Sequence, residues 1–272
     1  MLVTMLVMVF LCVKIASLQH QINDLSAKIA ESQVVEVTKE MSEATVSEAL
    51  YTVDNLDNLA EEGDIPVVYL TFDDGPSDNT DKILDILDDY NVKASFFVIG
   101  KDTEEYEAQY QRIVAEGHTI GMHSYSHNYS KLYASENAFV DDYNQIYNLI
   151  ETVCGTQPKF YRFPGGSSNK VSNINMSIFI NYLNSQGIKY YDWNVSSGDA
   201  VAQAFTCDEL VDNVMNDVVK YKTSVVLLHD GNSKNATVES LPELIESLQE
   251  IGAMILPISD DTTVIQHVSV VQ

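Results

Sequence analysis

Two adjacent carboxylates, Asp73 and Asp74, stand at the end of the apolar run Ile65 to Phe72 and just before the turn signal Gly75-Pro76. Neighbouring side chains on a strand point to opposite sides, so a pair at the mouth of a buried strand can take two jobs, one on a metal and one on a proton. The plain alternative is a turn whose aspartate caps the helix that follows. His123 and His127 follow the apolar run Thr119 to His123 and fall on the loop side of a sheet, where both can aim at one point. Two imidazoles with Asp74 as the carboxylate leave open positions for water and substrate, as a catalytic zinc-like site requires; a structural site would close its shell with a fourth ligand such as Cys. In Arg162-Phe163-Pro164-Gly165-Gly166 the guanidinium can hold a carboxylate through a forked pair of hydrogen bonds, and the glycines let backbone N–H groups approach a ligand. Asp199 and His229 complete the set. Taken singly, each has an ordinary explanation: an incidental histidine pair, or a surface arginine beside a loop.

All of these residues lie at the carboxyl ends of predicted strands, where barrel enzymes gather their active sites. Strands are predicted at Val67 to Phe72, Ala94 to Ile99, Thr119 to His123, Phe160 to Phe163, Lys189 to Val195, Ser224 to His229 and Ala253 to Ile258. Between them, apolar residues at steps of three and four predict helices: Ile83, Ile86 and Leu87; Ile146, Leu149 and Ile150; Leu210, Val214 and Val218; Leu241, Leu244, Ile245 and Leu248. Such alternation means α/β, with parallel strands and helices packed outside, and a closed or nearly closed barrel is the natural architecture. No glycine-rich phosphate loop is present, so nucleotide binding finds little support.

Composition narrows the partners. With 40 acidic against 15 basic residues and a net charge of -25, the chain is a poor match for nucleic acid, whose phosphates call for Lys and Arg. Cys12, Cys154 and Cys207 show no metal spacing and read as buried thiols. Met1 to Val13 is almost continuously apolar, and the run continues to Leu18, so residues 1–18 are expected to form an uncleaved membrane anchor. Lys14 and Lys28 follow the run and would hold that side in the cytoplasm, a conflict that a basic segment upstream of Met1 would remove. Residues 19–64 read as a helical stalk and acidic linker. Ile15, Leu18, Ile22, Leu25 and Ile29 follow a coiled-coil pattern too short to distinguish weak self-association from a single amphipathic helix. The working domain is then residues 65–272.

With its motifs in this order, the chain resembles the polysaccharide deacetylases with a NodB-type domain, carbohydrate esterase family 4, over about Ile65 to Ile258. The resemblance implies a distorted (β/α) barrel and metal-dependent removal of acetyl groups, usually from N-acetylglucosamine polymers. By the same resemblance Asp73 matches the general base, and Asp74, His123 and His127 match the ligands of a divalent metal, zinc first, with cobalt or nickel as alternatives. Arg162 matches the residue that orients the base, and Asp199 the acid that tunes the catalytic histidine, His229. Gly165 falls where a backbone N–H stabilises the oxyanion; with Pro164 it is expected against the substrate, and Leu227 matches a wall of the acetyl pocket. Two positions depart from the family pattern: Ala200 stands where a tryptophan is frequent, and Gly165 where a tyrosine is frequent. Both bear on pocket shape, and neither removes a charge or a ligand.

With a stalk ahead of the domain, the expected substrate is peptidoglycan at the outer membrane face, the catalytic domain facing the cell wall on a single-pass anchor. Poly-N-acetylglucosamine, chitin oligomers and acetylxylan are the alternatives. A reading from another class is a scaffold that binds glycan without turning it over; Ala200 is its only support.

Overall fold

The run that ends in the two aspartates forms β1 (Val67–Asp73), buried along its whole length. The structure, a computed structural model, describes residues 65–201 and 204–270. The expected anchor and the stalk and linker lie outside the described residues, and among those described no helix is long and apolar enough to cross a membrane.

Around β1 stand β2 (Ser95–Ile99), β3 (Thr119–Ser124), β4 (Phe160–Tyr161), β5 (Lys189–Tyr190), β6 (Val195–Ser196), β7 (Thr223–His229) and β8 (Met254–Ile255). Every pairing is parallel, in the order β5-β4-β3-β2-β1-β7-β6. On one side β1 pairs with β7 throughout; on the other, Val67 and Val68 pair with β8 while Thr71 to Asp73 pair with β2. Helices α1 (Thr80–Asp89), α2 (Glu104–Ala115), the single turn α3 (Tyr129–Leu132), α4 (Glu136–Cys154), α5 (Met176–Ser185), α6 (Cys207–Val218) and α7 (Asn235–Glu250) fill the crossovers. The sequence pattern points to α1, α4, α6 and α7. It leaves α2 and α5 unassigned, although each buries an apolar stripe, Tyr110 and Ile113 in one and Phe179, Ile180 and Leu183 in the other.

Period-two alternation sorts the strands into two faces. Val68, Leu70 and Phe72 of β1, with Val226 and Leu228 of β7, join the large core under the helices. Val67 and Tyr69, with Phe97, Phe160, Tyr191, Val225 and Ile258, form a second cluster on the inner face of the curled sheet. Continuing that inner face upward, β1 presents Thr71 and then Asp73, and β7 presents Leu227 and then His229. The inner column is therefore apolar at its foot and ends in ionisable groups, Asp73 and His229, at its carboxyl end.

One expected strand is divided. The run Lys189 to Val195 supplies β5 at one edge of the sheet path and β6 at the other. Tyr190 and Val195 are five residues apart, so the edges stand at most ~18 Å from each other. Residues 191–194 span that gap without a ladder, with Tyr191 N–H bonded to the Tyr161 carbonyl and Asn194 N–H to that of Val225. The barrel is thus a curled sheet joined by a short piece of chain. The thiols of Cys154 and Cys207 are unpaired and only partly buried, which corrects the expectation that they would be fully enclosed; each lies on a helix end rather than in the core.

Candidate active site

Asp73 and Asp74 line the same cleft, which the alternation of a regular strand would forbid. The strand ends at Asp73, and Asp74 takes φ 75°, a left-handed conformation that aspartate tolerates and that swings its carboxylate back to the inner side. The turn behind it is clamped by Asp230, which accepts from Ser77 Oγ at 2.7 Å and Thr80 Oγ1 at 2.6 Å. A Cβ on Gly75 would stand 2.3 Å from Asp230 Oδ2, so any other residue there would have to push that carboxylate off its hydrogen bonds to Ser77 and Thr80. Burial pushes the Asp230 carboxyl up to about 7.

His123 reaches the cleft through an irregularity. Val98 pairs with Met122 and the next residue, Ile99, with Ser124, so His123 is the extra residue of a bulge, a device that re-aims a side chain. Its Nδ1 faces the Arg162 carbonyl at 2.7 Å, leaving Nε2 for the cleft. Burial drives its pKa down to about 3, so the ring is neutral and offers a lone pair. His127, at φ 45°, sits on a loop that Asp142 of α4 holds by accepting from Ser124 Oγ, Tyr125 N–H and Ser126 N–H at 2.7 to 2.9 Å.

Asp74 Oδ1 lies 3.0 Å from His127 Nε2 and 3.5 Å from His123 Nε2. Atoms sharing one tetrahedral ion with bonds of ~2.0–2.1 Å stand ~3.3 Å apart. Asp74 Oδ1 is buried and has no hydrogen-bond partner among the described residues, an arrangement that costs free energy unless something else meets that oxygen. Asp74, His123 and His127 are the group of potential ligands that the described residues bring together, and the donors fit a divalent cation.

Arg162 is fully buried behind Asp73. Nη1 donates to Asp73 Oδ1 at 2.9 Å and to Thr71 Oγ1 at 2.6 Å, Nε to the Tyr191 carbonyl and Nη2 to that of Asp192, both at 3.0 Å. The guanidinium also lies over Phe97, 4.3 Å from the ring centroid. Burial raises the Asp73 pKa; the charges of Arg162 and His229 pull the other way without cancelling it. Across the cleft, His229 Nδ1 pairs with Asp199 Oδ1 at 2.7 Å, while Asp199 Oδ2 accepts from His229 N–H at 2.8 Å and Thr237 Oγ1 at 2.9 Å. Burial opposes the charge on both, but the mutual hydrogen bond and ion pair win: His229 is raised and Asp199 lowered.

The cleft is about 400 Å³, lined by Asp73, Asp74, His123, His127, Tyr129, Gly165, Trp193, Ala200, Leu227, His229 and Lys234. Of the sequence-predicted residues, Arg162 and Asp199 support it from behind. Pro164 is buried in the turn beside Gly165, its carbonyl accepting from the Tyr133 hydroxyl, and is not part of the cleft wall. Sequence reasoning passed over Tyr129, Lys234, Thr71, Asp142 and Asp230. Only Asp230 carried a local signal, its place directly after His229. The local pattern places Trp193 within a strand, and the structure puts it in the segment between β5 and β6.

Parallel strand ends that gather two carboxylates, three imidazoles and a buried guanidinium make up a hydrolytic site. The family model for polysaccharide deacetylases matches residues 60–190. A peptidoglycan-N-acetylglucosamine deacetylase of Bacillus cereus is 34% identical over 190 residues, which cover 68% of this chain and 67% of that one. Among solved structures, the catalytic domain of peptidoglycan N-acetylglucosamine deacetylase from Eubacterium rectale is 40% identical, with TM-score 0.71, covering 74% of this chain and 92% of that chain. A CE4 esterase of Streptococcus mutans is 30% identical, with TM-score 0.65, over 77% and 92%. The chain belongs to the polysaccharide deacetylase family.

Proposed function

We propose that this protein is a metal-dependent hydrolase that removes N-acetyl groups from N-acetylglucosamine-containing polysaccharide, with peptidoglycan as the substrate. The convergence of Asp73, Asp74, His123, His127 and His229 on one cleft, with Arg162 and Asp199 directly behind, carries the reading. The peptidoglycan assignment draws on the named activities of the B. cereus and E. rectale relatives.

Asp74, His123 and His127 would hold the cation, zinc by the nitrogen and oxygen donor set, with cobalt or nickel as substitutes. When bound, such an ion polarises a carbonyl and acidifies water. Asp73 takes the proton of the attacking water: its raised pKa makes it a stronger base than an ordinary carboxylate, and Arg162 fixes its direction. The Gly165 N–H donates to the developing oxyanion. His229, whose pKa the hydrogen bond and charge of Asp199 raise against the effect of burial, gives its proton to the departing amine. Leu227 supplies an apolar wall for the acetyl methyl.

Residues 1–18 serve in this proposal as a single-pass anchor that places the domain outside the cell, facing the wall, on the stalk of residues 19–64. The apolar run of the sequence supports that placement.

Acetate release by the full chain with Zn²⁺ or Co²⁺, measured on peptidoglycan, chitin oligomers and acetylxylan, tests the proposal. Turnover of peptidoglycan is expected to be fastest; binding of all three glycans with no acetate released would leave a glycan-binding scaffold instead. Asp74→Ala should lose both zinc, by elemental analysis, and turnover.

A further inference from the structure

The cleft wall next to Gly165 comes from another segment. Tyr129, the first residue of α3, lines the cleft. A Cβ placed on Gly165 would come within 3.2 Å of Tyr129 Cε1 and 3.6 Å of its hydroxyl, so the hydroxyl edge of the ring lies beside the Gly165 backbone. Gly165 itself has φ 78°, where a side chain is strained whatever the space. One position therefore lacks a side chain, and a tyrosine from a different loop stands over it.

The ring is held from two directions. It meets His127 edge-on with centroids 5.5 Å apart, and Tyr133 with centroids 6.2 Å apart. Tyr133 in turn donates its hydroxyl to the Pro164 carbonyl at 2.8 Å and packs on Phe179, which ties Tyr129 to the turn that carries Gly165. At the other end of the side chain the position is different. Among the described residues, no protein group shares a hydrogen bond with the Tyr129 hydroxyl. A fixed aromatic ring with an unspent donor at a cleft is suited to a sugar, which offers a ring face to pack on and hydroxyl or acetamide oxygens to accept. Pre-positioning means that little rotamer freedom is lost when the ligand arrives.

We infer that Tyr129 is a substrate-binding residue: its ring walls the sugar that bears the acetamide, and its hydroxyl donates a hydrogen bond to that same sugar unit. The inference rests on the deacetylase reading above. Tyr129 thereby supplies, from the loop after His127, the side chain that position 165 does not have, and it sets how tightly the glycan is held.

Steady-state acetate release from N-acetylglucosamine oligomers by the zinc-loaded full chain provides the test. Tyr129→Phe keeps the ring and removes the donor, so KM should rise about 5- to 10-fold with kcat within about twofold, as for loss of one ground-state hydrogen bond. Tyr129→Leu should raise KM further, while zinc content and Tm stay at the wild-type values in both variants. A wild-type KM in Tyr129→Phe overturns the inference, as does loss of zinc in that variant, which would give Tyr129 a role in holding the His127 loop only. Failure of the wild type to release acetate from any glycan sinks the deacetylase reading separately. Calorimetry of the same oligomers then still decides the role of Tyr129, with a Kd about 5- to 10-fold weaker in Tyr129→Phe expected and an unchanged Kd overturning it.

Discussion

Two buried carboxylates flank the cleft, Asp73 beside Arg162 and Asp199 beside His229, and their acidities move in opposite directions. Asp199 accepts hydrogen bonds from three donors: the His229 ring, the His229 backbone and Thr237. Asp73 accepts one side-chain hydrogen bond, from Arg162 at 2.9 Å, and its second oxygen lies 3.9 Å from His123. Burial penalises the charge on both; at Asp199 the hydrogen bonds and the charge of His229 outweigh it, and at Asp73 the charge and hydrogen bond of Arg162 do not. The outcome is a division of labour. Asp199 favours the charged form of His229, as the proposed acid requires, whereas the raised proton affinity of Asp73 suits the base proposed for it.

The largest effect that would break this contrast is expected at Asp73. Asp73→Asn should keep zinc yet lower kcat by ~10³-fold, because the amide that replaces the carboxylate cannot accept the proton; near-normal turnover would remove Asp73 from the role. His229→Ser should also keep zinc and cost on the order of 100-fold or more, seen in single-turnover acetate release. Asp199→Asn sharpens the comparison more than it breaks it. Without that carboxylate the His229 pKa falls, so the alkaline limb of the kcat profile should move to lower pH, while the acidic limb set by Asp73 stays in place; a shift of both limbs would show that the two pairs are not separable. Thr237→Val, which removes one of three donors to Asp199, should change kcat by no more than about threefold and cost about 1 kcal/mol in urea denaturation.

The same signs govern stability. Asp199, depressed, contributes stability that is present above its unfolded value and lost as pH falls through the folded pKa. His229, raised, contributes stability present below its unfolded value and lost as pH rises through the folded pKa. Asp73 has the reverse sign to Asp199: its folded state holds the proton more tightly, so ionising it costs stability as pH rises.

Much of the fold could be read from local pattern. β1 and β7 are long, buried and β-branched, and their expected bounds differ from the observed ones by one residue at an end. The strands that went astray are the two-residue ones. Lys189 to Val195 carries one continuous apolar signal, yet its ends pair with β4 and with β7 on opposite edges, because curling of the sheet brings both edges to the same short segment. No periodicity within seven residues can report that.

The sequence by itself determined which groups are available and at which end of the sheet they lie, since strand alternation and turn residues are local properties. Tertiary structure alone decided three further things: that Asp74 turns back beside Asp73, that a bulge aims His123, and that Tyr129 stands over Gly165. It also set the opposite acidities of Asp73 and Asp199, because burial and hydrogen-bond supply come from partners tens of residues away. Arg162 meets Asp73 across 89 residues, and Thr237 meets Asp199 across 38.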